Sequence, residues 1–481
     1  METIGALEIF LLAVVCAVAF GLRLIIQSRR KWFGNDSYYH LLFSRSWRTN
    51  QRYPKFDPNL LPSNVSTYPP LLQVIVYPFT SISDRVAMTI VSPIIDVVTI
   101  ILLFVAGEWV DITLPLLPPL IYAISAHNLI DASTLNPRPL GNLLLAATAL
   151  VLMQFAIAGD LLTYLLLVFM EALVLLGHKL SVQVMAPLVV LVSIVAFSYH
   201  GTIDKGWPML ASPAFAVLVA AALTGGAYLR RILPDHIRYI GVHLRQGEYR
   251  TGKRAVPSPL NLVKANPVSY IAPFLGLYMY FFAEPIPGYG LWLPWSCAVL
   301  VLAQFWIWGD SWRYLQLGTF PSALIIVHFI TDFGFTSSVD QQLLIVLVVV
   351  LATIAFLQVR AALSRDNAQR IAESLRKMPH EWIMLIKGRK VYSNVQHYVV
   401  PYITDSSVLL GSPSADGMKA SFRVSELSKG KLSDIEKYAR EEEKEPLDYA
   451  LFLNKFSGPS TDGYLPYHQS HEITLYKLGE G

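Results

Sequence analysis

Long apolar segments separated by short polar ones fill most of the 481-residue chain. A helix needs about 20 residues to cross the hydrocarbon core of a membrane. Because such a helix satisfies its own backbone hydrogen bonds, we predict an α-helical polytopic membrane protein with roughly eleven transmembrane helices. The predicted crossings are 5–26, 86–106, 112–126, 139–158, 161–177, 181–198, 208–228, 269–283, 291–309, 314–333 and 341–359.

The pattern changes near Asp366, where polar residues become frequent. An amphipathic basic helix on or near the membrane surface is predicted over 366–378, and a charged helix over 434–445. Short apolar runs typical of strands occupy 382–386, 398–400, 407–410, 447–453 and 472–478. We therefore predict a transmembrane domain over 1–363 and a small soluble C-terminal α/β domain over 364–481.

Composition agrees with a membrane protein. Apolar residues make up 54% and charged residues 15% of the chain, whereas soluble domains carry about 25% charged residues. The first apolar segment has no basic residue before it and no small-residue cleavage site, and it is longer than a signal-peptide core, so we expect it to be retained as a membrane helix. Cys16 and Cys297 lie in apolar segments, which argues against a disulfide or a cysteine metal site.

If the helices alternate in direction, all long connections share one face with nearly all arginines and lysines. They include a first large loop over 27–85, in which we expect interfacial helices. The positive-inside rule would make this face cytoplasmic, and the residues alone favour that placement. The functional alternative is that these cations attract an anionic, phosphate-bearing substrate.

The first large loop contains the stretch GNDSYYH at 34–40, with Asp36, Tyr38, Tyr39 and His40. Ionisable groups at a membrane interface are costly to bury and so indicate a functional site. On a helix, Asp36 and His40 would share one face, and Asp36 could act as a general base on an acceptor hydroxyl. Equally open is an aromatic belt in which Asp36 caps a helix.

The same loop ends with Tyr68-Pro69-Pro70-Leu71-Leu72. Proline is favoured in the first turn of a helix, where its missing N–H costs nothing. We predict an extended entry into a short helix over 71–79 that lies along the interface. By itself this motif is better explained as a plain proline-capped turn, and it indicates a functional site only when paired with Asp36.

Two later connections return to this face with charged residues. Asp131 could be a second carboxylate at the site, with Arg138 as a phosphate donor group. The alternative is a capped loop, with Asp131 as the helix cap and Arg138 reaching to water. His178 and Lys179 are candidates for a phosphate clamp or for a simple positively charged turn.

Two further features weigh on the choice of function. Glu171 lies inside an apolar segment, where a charge costs about 2.5–3.5 kcal/mol, so it should face the bundle or a wet cavity. Arg313 is a less specific candidate of the same kind as Lys179.

The rival functions are a flippase or transporter of lipid-linked sugars and a scaffold for cell-envelope assembly. The polar mass on one face favours an enzyme, because a transporter needs protein on both faces.

The motifs GNDSYYHLL, TYPPLL with a following Arg85, and RPLG together resemble the polytopic glycosyltransferases of the GT-C fold, which use polyprenyl-phosphate-linked sugar donors. DSYYH is most similar to the first-loop motif of oligosaccharyltransferase catalytic subunits. YPPLL is similar to that of mannosyl- and aminoarabinosyltransferases. The resemblance implies that Asp36 and Asp131 are the acidic residues of the catalytic site. Residues expected to bind substrate or phosphate are Tyr38, Tyr39, His40, Tyr68, Arg138, His178 and Lys179.

The sequence also departs from these families. It has no WWDYG motif, so transfer of one sugar to a lipid, glycan or protein is expected rather than oligosaccharide transfer to asparagine. The first loop has no Asp-x-Asp, which leaves a divalent metal, Mg²⁺ or Mn²⁺, as an open alternative. The expected partners are a lipid-linked sugar donor, its acceptor and membrane lipids, and no nucleic acid. The family topology places the C-terminal domain outside the cytoplasm, and we follow it against the charge rule.

Overall fold

The computed structural model describes residues 5–29, 34–200, 203–245, 258–282, 289–305, 313–332, 338–365, 367–411 and 413–478. The first half contains α1 (Ala6–Arg29), α2 (Asn35–Asn50), α3 (Leu71–Ile82), α4 (Asp84–Trp109), α5 (Leu117–Ile124), α6 (Ala126–Ala132), α7 (Arg138–Ala158), α8 (Leu161–Gly177), α9 (Lys179–His200) and α10 (Ile203–Leu223). A π-helical turn at Tyr228–Ile232 is followed by α11 (Leu233–Leu244), α12 (Pro259–Ala265), α13 (Pro267–Phe282), α14 (Tyr289–Phe305), α15 (Tyr314–Leu317), α16 (Thr319–Asp332) and α17 (Ser338–Arg365).

Every predicted crossing overlaps one of these helices, which confirms the prediction of a helical membrane protein. Within the described residues, five helices are long and apolar enough to cross a membrane. The segment 112–126 differs from its prediction, because it holds only the eight-residue α5. At 1.5 Å per residue α5 is too short to cross a bilayer. Its first turn contains Pro118 and Pro119, which fit a helix start but not a longer helix interior.

The outer faces of the long helices carry large exposed apolar side chains. Leu162 is 78% exposed, Phe281 71% and Phe356 65%. Apolar surface on this scale would be unfavourable in water and is expected where a helix faces lipid. The exposed faces therefore agree with an integral membrane protein.

Charged side chains inside the helical bundle are paired. The Arg23 guanidinium of α1 forms an ion pair with Asp96 of α4, and both side chains are almost fully buried. The Tyr122 hydroxyl of α5 donates a hydrogen bond of 3.1 Å to Asp96. Glu171 is fully buried and accepts a hydrogen bond of 2.8 Å from Ser212 of α10, so it faces the bundle as expected.

Removing one partner of the Arg23–Asp96 pair should be strongly destabilising. Arg23→Met leaves a buried carboxylate without its cation, which typically costs about 3–5 kcal/mol. We expect a clearly lower melting temperature for the purified variant, whereas Arg23→Met combined with Asp96→Asn should melt close to the parent. Arg360→Met, at an exposed arginine of α17, is the control. An unchanged melting temperature for Arg23→Met would contradict the assignment.

The C-terminal region combines helices with a mixed sheet. Its helices are α18 (Ala368–Arg376), α19 (His380–Ile386), α20 (Val399–Thr404), α21 (Ala415–Leu427) and α22 (Leu432–Glu441). The strands are β1 (Leu60–Leu61), β2 (Lys390–Ser393), β3 (Ser407–Leu409), β4 (Tyr449–Leu453), β5 (Pro466–Gln469) and β6 (Ile473–Lys477). They lie in the order β1-β3-β2-β4-β6-β5, with parallel pairing from β1 to β4 and antiparallel pairing of β6 with both neighbours.

Three of the five strand predictions are confirmed, since 407–410, 447–453 and 472–478 contain β3, β4 and β6. The predictions at 382–386 and 398–400 are wrong, because these runs belong to α19 and α20. Trp382 and Ile386, four residues apart, are the two buried positions of α19 and share one helix face. Burial on one helix face therefore overrides the strand preference of these short apolar runs.

Strand β1 comes from the first large loop and not from the C-terminal region. Leu60 pairs with Val408 and Leu61 with Leu409, both in parallel. Leu61 also packs into the apolar core that lies on one side of the sheet. The first large loop is therefore tied to the C-terminal sheet by β1, and α2 contacts α20 of the C-terminal region through Tyr38 and Tyr402. The domain boundary at 363 and 364 stays a prediction.

Candidate active site

Helix α2 begins where three parts of the chain meet. Gly34 precedes it with a φ of 91°, and a Cβ there would lie 2.8 Å from the Thr134 side chain, so glycine is required. The Asn35 side chain accepts a hydrogen bond of 2.8 Å from the backbone N–H of Tyr398. Asp36 lies in the first turn of α2, beyond the cap position, with its side chain 52% exposed. The fold thus presents this carboxylate at a junction, accessible to a substrate.

Asp36 and Asp131 lie on either side of one guanidinium. Arg138, the first residue of α7, is 2.5 Å from an Asp131 oxygen and 3.9 Å from an Asp36 oxygen. Asp131 is near the C-terminal end of α6, so it is not a helix cap, and its side chain is only 10% exposed. A guanidinium can hold two carboxylates in fixed directions. The structure therefore brings together the three charged residues that the sequence motifs singled out.

The glycine of the RPLG motif lets α7 approach the turn between α8 and α9. A Cβ at Gly141 would lie 2.2 Å from the Ser181 hydroxyl and 2.9 Å from Nδ1 of His178. Any other residue would push this turn away. Gly141 thus places His178 next to the helix that begins with Arg138.

An aromatic wall borders the carboxylates. Tyr68 lies edge-on to Tyr39 and to His40, with ring centroids 5.9 and 5.6 Å apart. The Tyr39 hydroxyl donates a hydrogen bond of 2.8 Å to Asp57, a buried residue that the sequence did not single out. Burial lowers the pKa of His40 to about 4, although the negative charge of Asp36 partly offsets this by raising it. At neutral pH His40 is therefore uncharged and forms part of the wall.

His178 and Lys179 do not form an independent cationic clamp. The Lys179 ammonium lies 3.1 Å from Asp235 of α11 and donates a hydrogen bond of 2.9 Å to the Pro413 carbonyl. Burial lowers the pKa of His178, and the nearby charge of Arg138 lowers it further. His178 is therefore neutral at neutral pH, and a phosphate at Lys179 would have to compete with Asp235.

Arg313, a less specific candidate in the sequence, is a further cation near the site. Burial raises the pKa of the Tyr68 hydroxyl, the Asp36 charge raises it further, and Arg138 and Arg313 oppose this rise. Arg313 also contributes to the low pKa of His178. Arg313 is thus within electrostatic range of the aromatic wall and adds positive charge on the same side as Arg138.

Tyr38 faces away from this cluster, because two helical positions separate its direction from that of Asp36 by about 200°. Its ring contacts His397 and Tyr402 of the C-terminal region, with centroids 6.0 and 5.2 Å apart. It therefore lies in a second environment on the far side of α2.

The C-terminal region contributes two residues that sequence reasoning missed. The Tyr398 ring lies 5.7 Å from that of Tyr39. Burial lowers the pKa of His397 to about 4, and the Asp36 charge opposes this effect, so His397 lies within electrostatic range of Asp36. Adjacent polar and aromatic residues at 396–398 were the available signal. The strand predicted at 398–400 assigned these residues a structural role, so their side chains were not considered as site residues.

Comparison with known proteins assigns the fold. No family model and no curated protein matches the chain by sequence. The structure of ArnT from Cupriavidus metallidurans bound to undecaprenyl phosphate matches with a TM-score of 0.61 and 10% identity, covering 96% of this chain and 97% of ArnT. The chain has the GT-C fold. The resemblance drawn from its motifs is thus confirmed at the level of the fold.

Two structures of the Archaeoglobus fulgidus oligosaccharyltransferase support the same fold. The complex of AglB with an inhibitory peptide and a dolichol-phosphate has a TM-score of 0.57 at 11% identity, covering 93% of this chain and 70% of AglB. The complex with zinc and sulfate has a TM-score of 0.56 at 12% identity, covering 91% and 67%. Such low identities establish the fold alone, so activity has to be argued from residues.

Proposed function

We propose that this GT-C protein is an integral-membrane glycosyltransferase that moves a sugar from a polyprenyl-phosphate-linked donor to a lipid, glycan or protein acceptor. The observation that carries the proposal is the half-exposed Asp36 carboxylate next to the Arg138–Asp131 pair, at the junction of α2, α7 and the C-terminal region. The solved structures with undecaprenyl phosphate and with dolichol-phosphate support a lipid-linked donor.

In the proposed reaction Asp36 accepts the proton of the acceptor hydroxyl. The oxygen attacks the anomeric carbon in line, the bond from that carbon to the phosphate oxygen breaks, and the lipid phosphate leaves with the electron pair. A phosphate leaving group needs little protonation, so one base suffices, unlike the two carboxyl groups of glycosidases. Asp131 holds Arg138 in place and does not itself need to exchange a proton.

Arg138 and Arg313 are the proposed cations for the donor phosphate. A guanidinium has five N–H donors, so Arg138 can face both carboxylates and still offer donors to a phosphate. Lys179 stays a proposed ligand that must first leave Asp235. Tyr39, His40, Tyr68 and His178 would enclose the sugar as neutral groups that exclude water.

A metal ion does not fit this arrangement as it stands. The oligosaccharyltransferase with the same fold has been solved with zinc, which makes metal dependence an alternative to test here. However, the space between Asp36 and Asp131 faces the Arg138 guanidinium, which would repel a dication. Among the described residues, no three carboxylates, histidines or cysteines are grouped to hold a metal. Dependence on Mg²⁺ or Mn²⁺ would therefore require Arg138 to move, and we route no step through a metal.

The proposal includes a side of the membrane. We place the first large loop and the C-terminal region on the non-cytoplasmic face, because their cations serve the site as phosphate ligands and partners of acidic groups. Long loops also follow the positive-inside rule poorly. The alternatives are a flippase or transporter of lipid-linked sugars and a scaffold for cell-envelope assembly.

Removal of the protein tests the proposal. We expect a lipid-linked sugar to accumulate in cells without the protein, measured by mass spectrometry of extracted lipids, and to disappear when the wild-type chain is restored. A flippase would cause the same accumulation. The second measurement therefore uses purified protein in detergent, where no membrane separates two sides. A transferase releases free polyprenyl phosphate from that lipid when acceptor extract is added, and failure to do so would favour the flippase.

A further inference from the structure

A cavity of about 310 Å³ lies on the Tyr38 side of α2, away from the Asp36–Arg138 cluster. It is formed by the C-terminal end of α1, the first turns of α4, and helices α18 and α20 of the C-terminal region. The residues that line it are Gln27, Ser28, Tyr38, Arg85, Met88, Thr89, Arg376 and Tyr402. Nothing in the proposed donor site uses this cavity.

The wall of the cavity contains an unsatisfied hydrogen-bond acceptor. Gln27 is 6% exposed, and its side-chain oxygen is buried with no hydrogen-bond partner among the described residues. Buried polar atoms in native proteins nearly always have a partner. Gln27 lines the cavity, so a rotation of its amide would turn this oxygen towards a hydroxyl group of a bound molecule, which would donate the missing hydrogen bond.

The rim of the cavity is positively charged. Arg85 of α4 and Arg376 of α18 are both exposed lining residues. The neighbouring Asp84 is 3.1 Å from Arg45 and accepts a hydrogen bond of 2.9 Å from Tyr402. Among the residues that the structure describes, Arg85 has no ion-pair partner. Two arginines from different parts of the chain are suited to a phosphate.

The position of the cavity favours a lipid over a soluble ligand. Gln27 and Ser28 end α1, and Met88 and Thr89 follow the start of α4. Both helices are long and apolar enough to cross a membrane, so their ends lie near the headgroups of the surrounding lipids. A headgroup could therefore enter the cavity while its chains stay in the bilayer.

The cavity lies on the far side of α2 from the proposed donor site. Tyr38 lines it and contacts His397, which is within electrostatic range of Asp36. The proposed donor cations Arg138 and Arg313 act on the opposite side of α2, next to Tyr68. A lipid in this cavity would thus leave the proposed donor site free.

We propose that this cavity binds the headgroup of an anionic lipid that carries both a phosphate and hydroxyl groups. Arg85 and Arg376 hold the phosphate, and Gln27 accepts a hydrogen bond from a hydroxyl. The binding of this lipid does not depend on the proposed glycosyltransferase function.

The test is direct binding to purified protein in an uncharged detergent, followed by native mass spectrometry. The probes are dioctanoyl phosphatidylglycerol, which has a phosphate and hydroxyls, phosphatidic acid, which lacks the hydroxyls, and phosphatidylcholine. We expect Arg85→Gln and Arg376→Gln each to weaken phosphatidylglycerol binding about tenfold, equivalent to about 1.4 kcal/mol. Gln27→Leu should weaken phosphatidylglycerol and leave phosphatidic acid unchanged. Arg370→Gln, at an exposed arginine of the same helix α18, is the matched control.

Binding and catalysis fail separately in this design. Asp36→Asn should bind phosphatidylglycerol like the parent even if it transfers no sugar, so failure of the transferase proposal leaves the lipid site standing. Equal binding of phosphatidylcholine, or unchanged binding when both arginines are replaced, would overturn the lipid site. Displacement of phosphatidylglycerol by millimolar inorganic phosphate would also overturn it, and would identify the cavity as a site for free phosphate.

Discussion

Asp36→Asn is expected to lower sugar transfer by about 10²–10⁴-fold, the range that a general base typically contributes. The amide has nearly the same shape as the carboxylate but cannot take the acceptor proton. Because the Asp36 side chain is 52% exposed at the start of α2, its replacement should leave the fold intact. The measurement is release of polyprenyl phosphate by purified protein at saturating donor and acceptor.

Asp405→Asn is the matched control for this prediction. Its side chain is also 52% exposed and forms a surface ion pair of 3.5 Å with Lys387. Surface pairs contribute little to stability, so this variant should retain the activity of the parent. If Asp36→Asn also turned over normally while showing the same melting temperature, Asp36 would not be the base. The scaffold alternative would then gain support.

The helical part of the fold could be predicted because the length of an apolar run is a local property. The segments 139–158 and 161–177 coincide almost residue for residue with α7 and α8. The length of the helix in segment 112–126 could not be predicted in the same way. Mean hydropathy over the segment does not show where the prolines limit α5 to eight residues. Local pattern thus gives the existence of a helix more reliably than its length.

The site could be predicted in part, because its motifs are short and carry unusual charges in apolar surroundings. What the motifs could not give is the distance between them. Asn35 and Tyr398 form a hydrogen bond across 363 positions of the chain, and β1 is a strand of only two residues. Two residues are too few to show the alternation of apolar and polar positions that is typical of a strand. The pairing of the first loop with the C-terminal sheet therefore could not be predicted from the sequence.

Lys179 shows how a neighbour changes the chemistry of a predicted residue. The sequence shows a cation in a turn, which is typical of a phosphate ligand. Its partner Asp235 lies 56 positions away and is almost fully buried. Asp235 also accepts hydrogen bonds from Thr67 and from the backbone N–H of Ala415. The pair therefore joins the first loop, α9, α11 and the C-terminal region.

Arg138→Met is expected to reduce transfer by at least about 10²-fold, as expected when reacting groups lose their alignment. Without the guanidinium, Asp131 becomes a nearly buried carboxylate with no cation at 2.5 Å. Asp36 would lose the guanidinium 3.9 Å away that keeps it in position, and the donor phosphate would lose a proposed ligand. The same change should lower the melting temperature, because removing one partner of a buried ion pair is strongly destabilising.

Two further variants separate loss of alignment from loss of folding. Arg138→Met combined with Asp131→Asn removes the unpaired charge, so its melting temperature should recover while transfer stays low. Arg138→Lys keeps the positive charge for a donor phosphate but lacks the planar fork that can reach two carboxylates. It should therefore lower kcat and leave the KM for the donor near that of the parent. If the double variant recovered both transfer and stability, Arg138 would serve the fold alone. Neutralising Asp131 cannot replace a side chain that aligns Asp36.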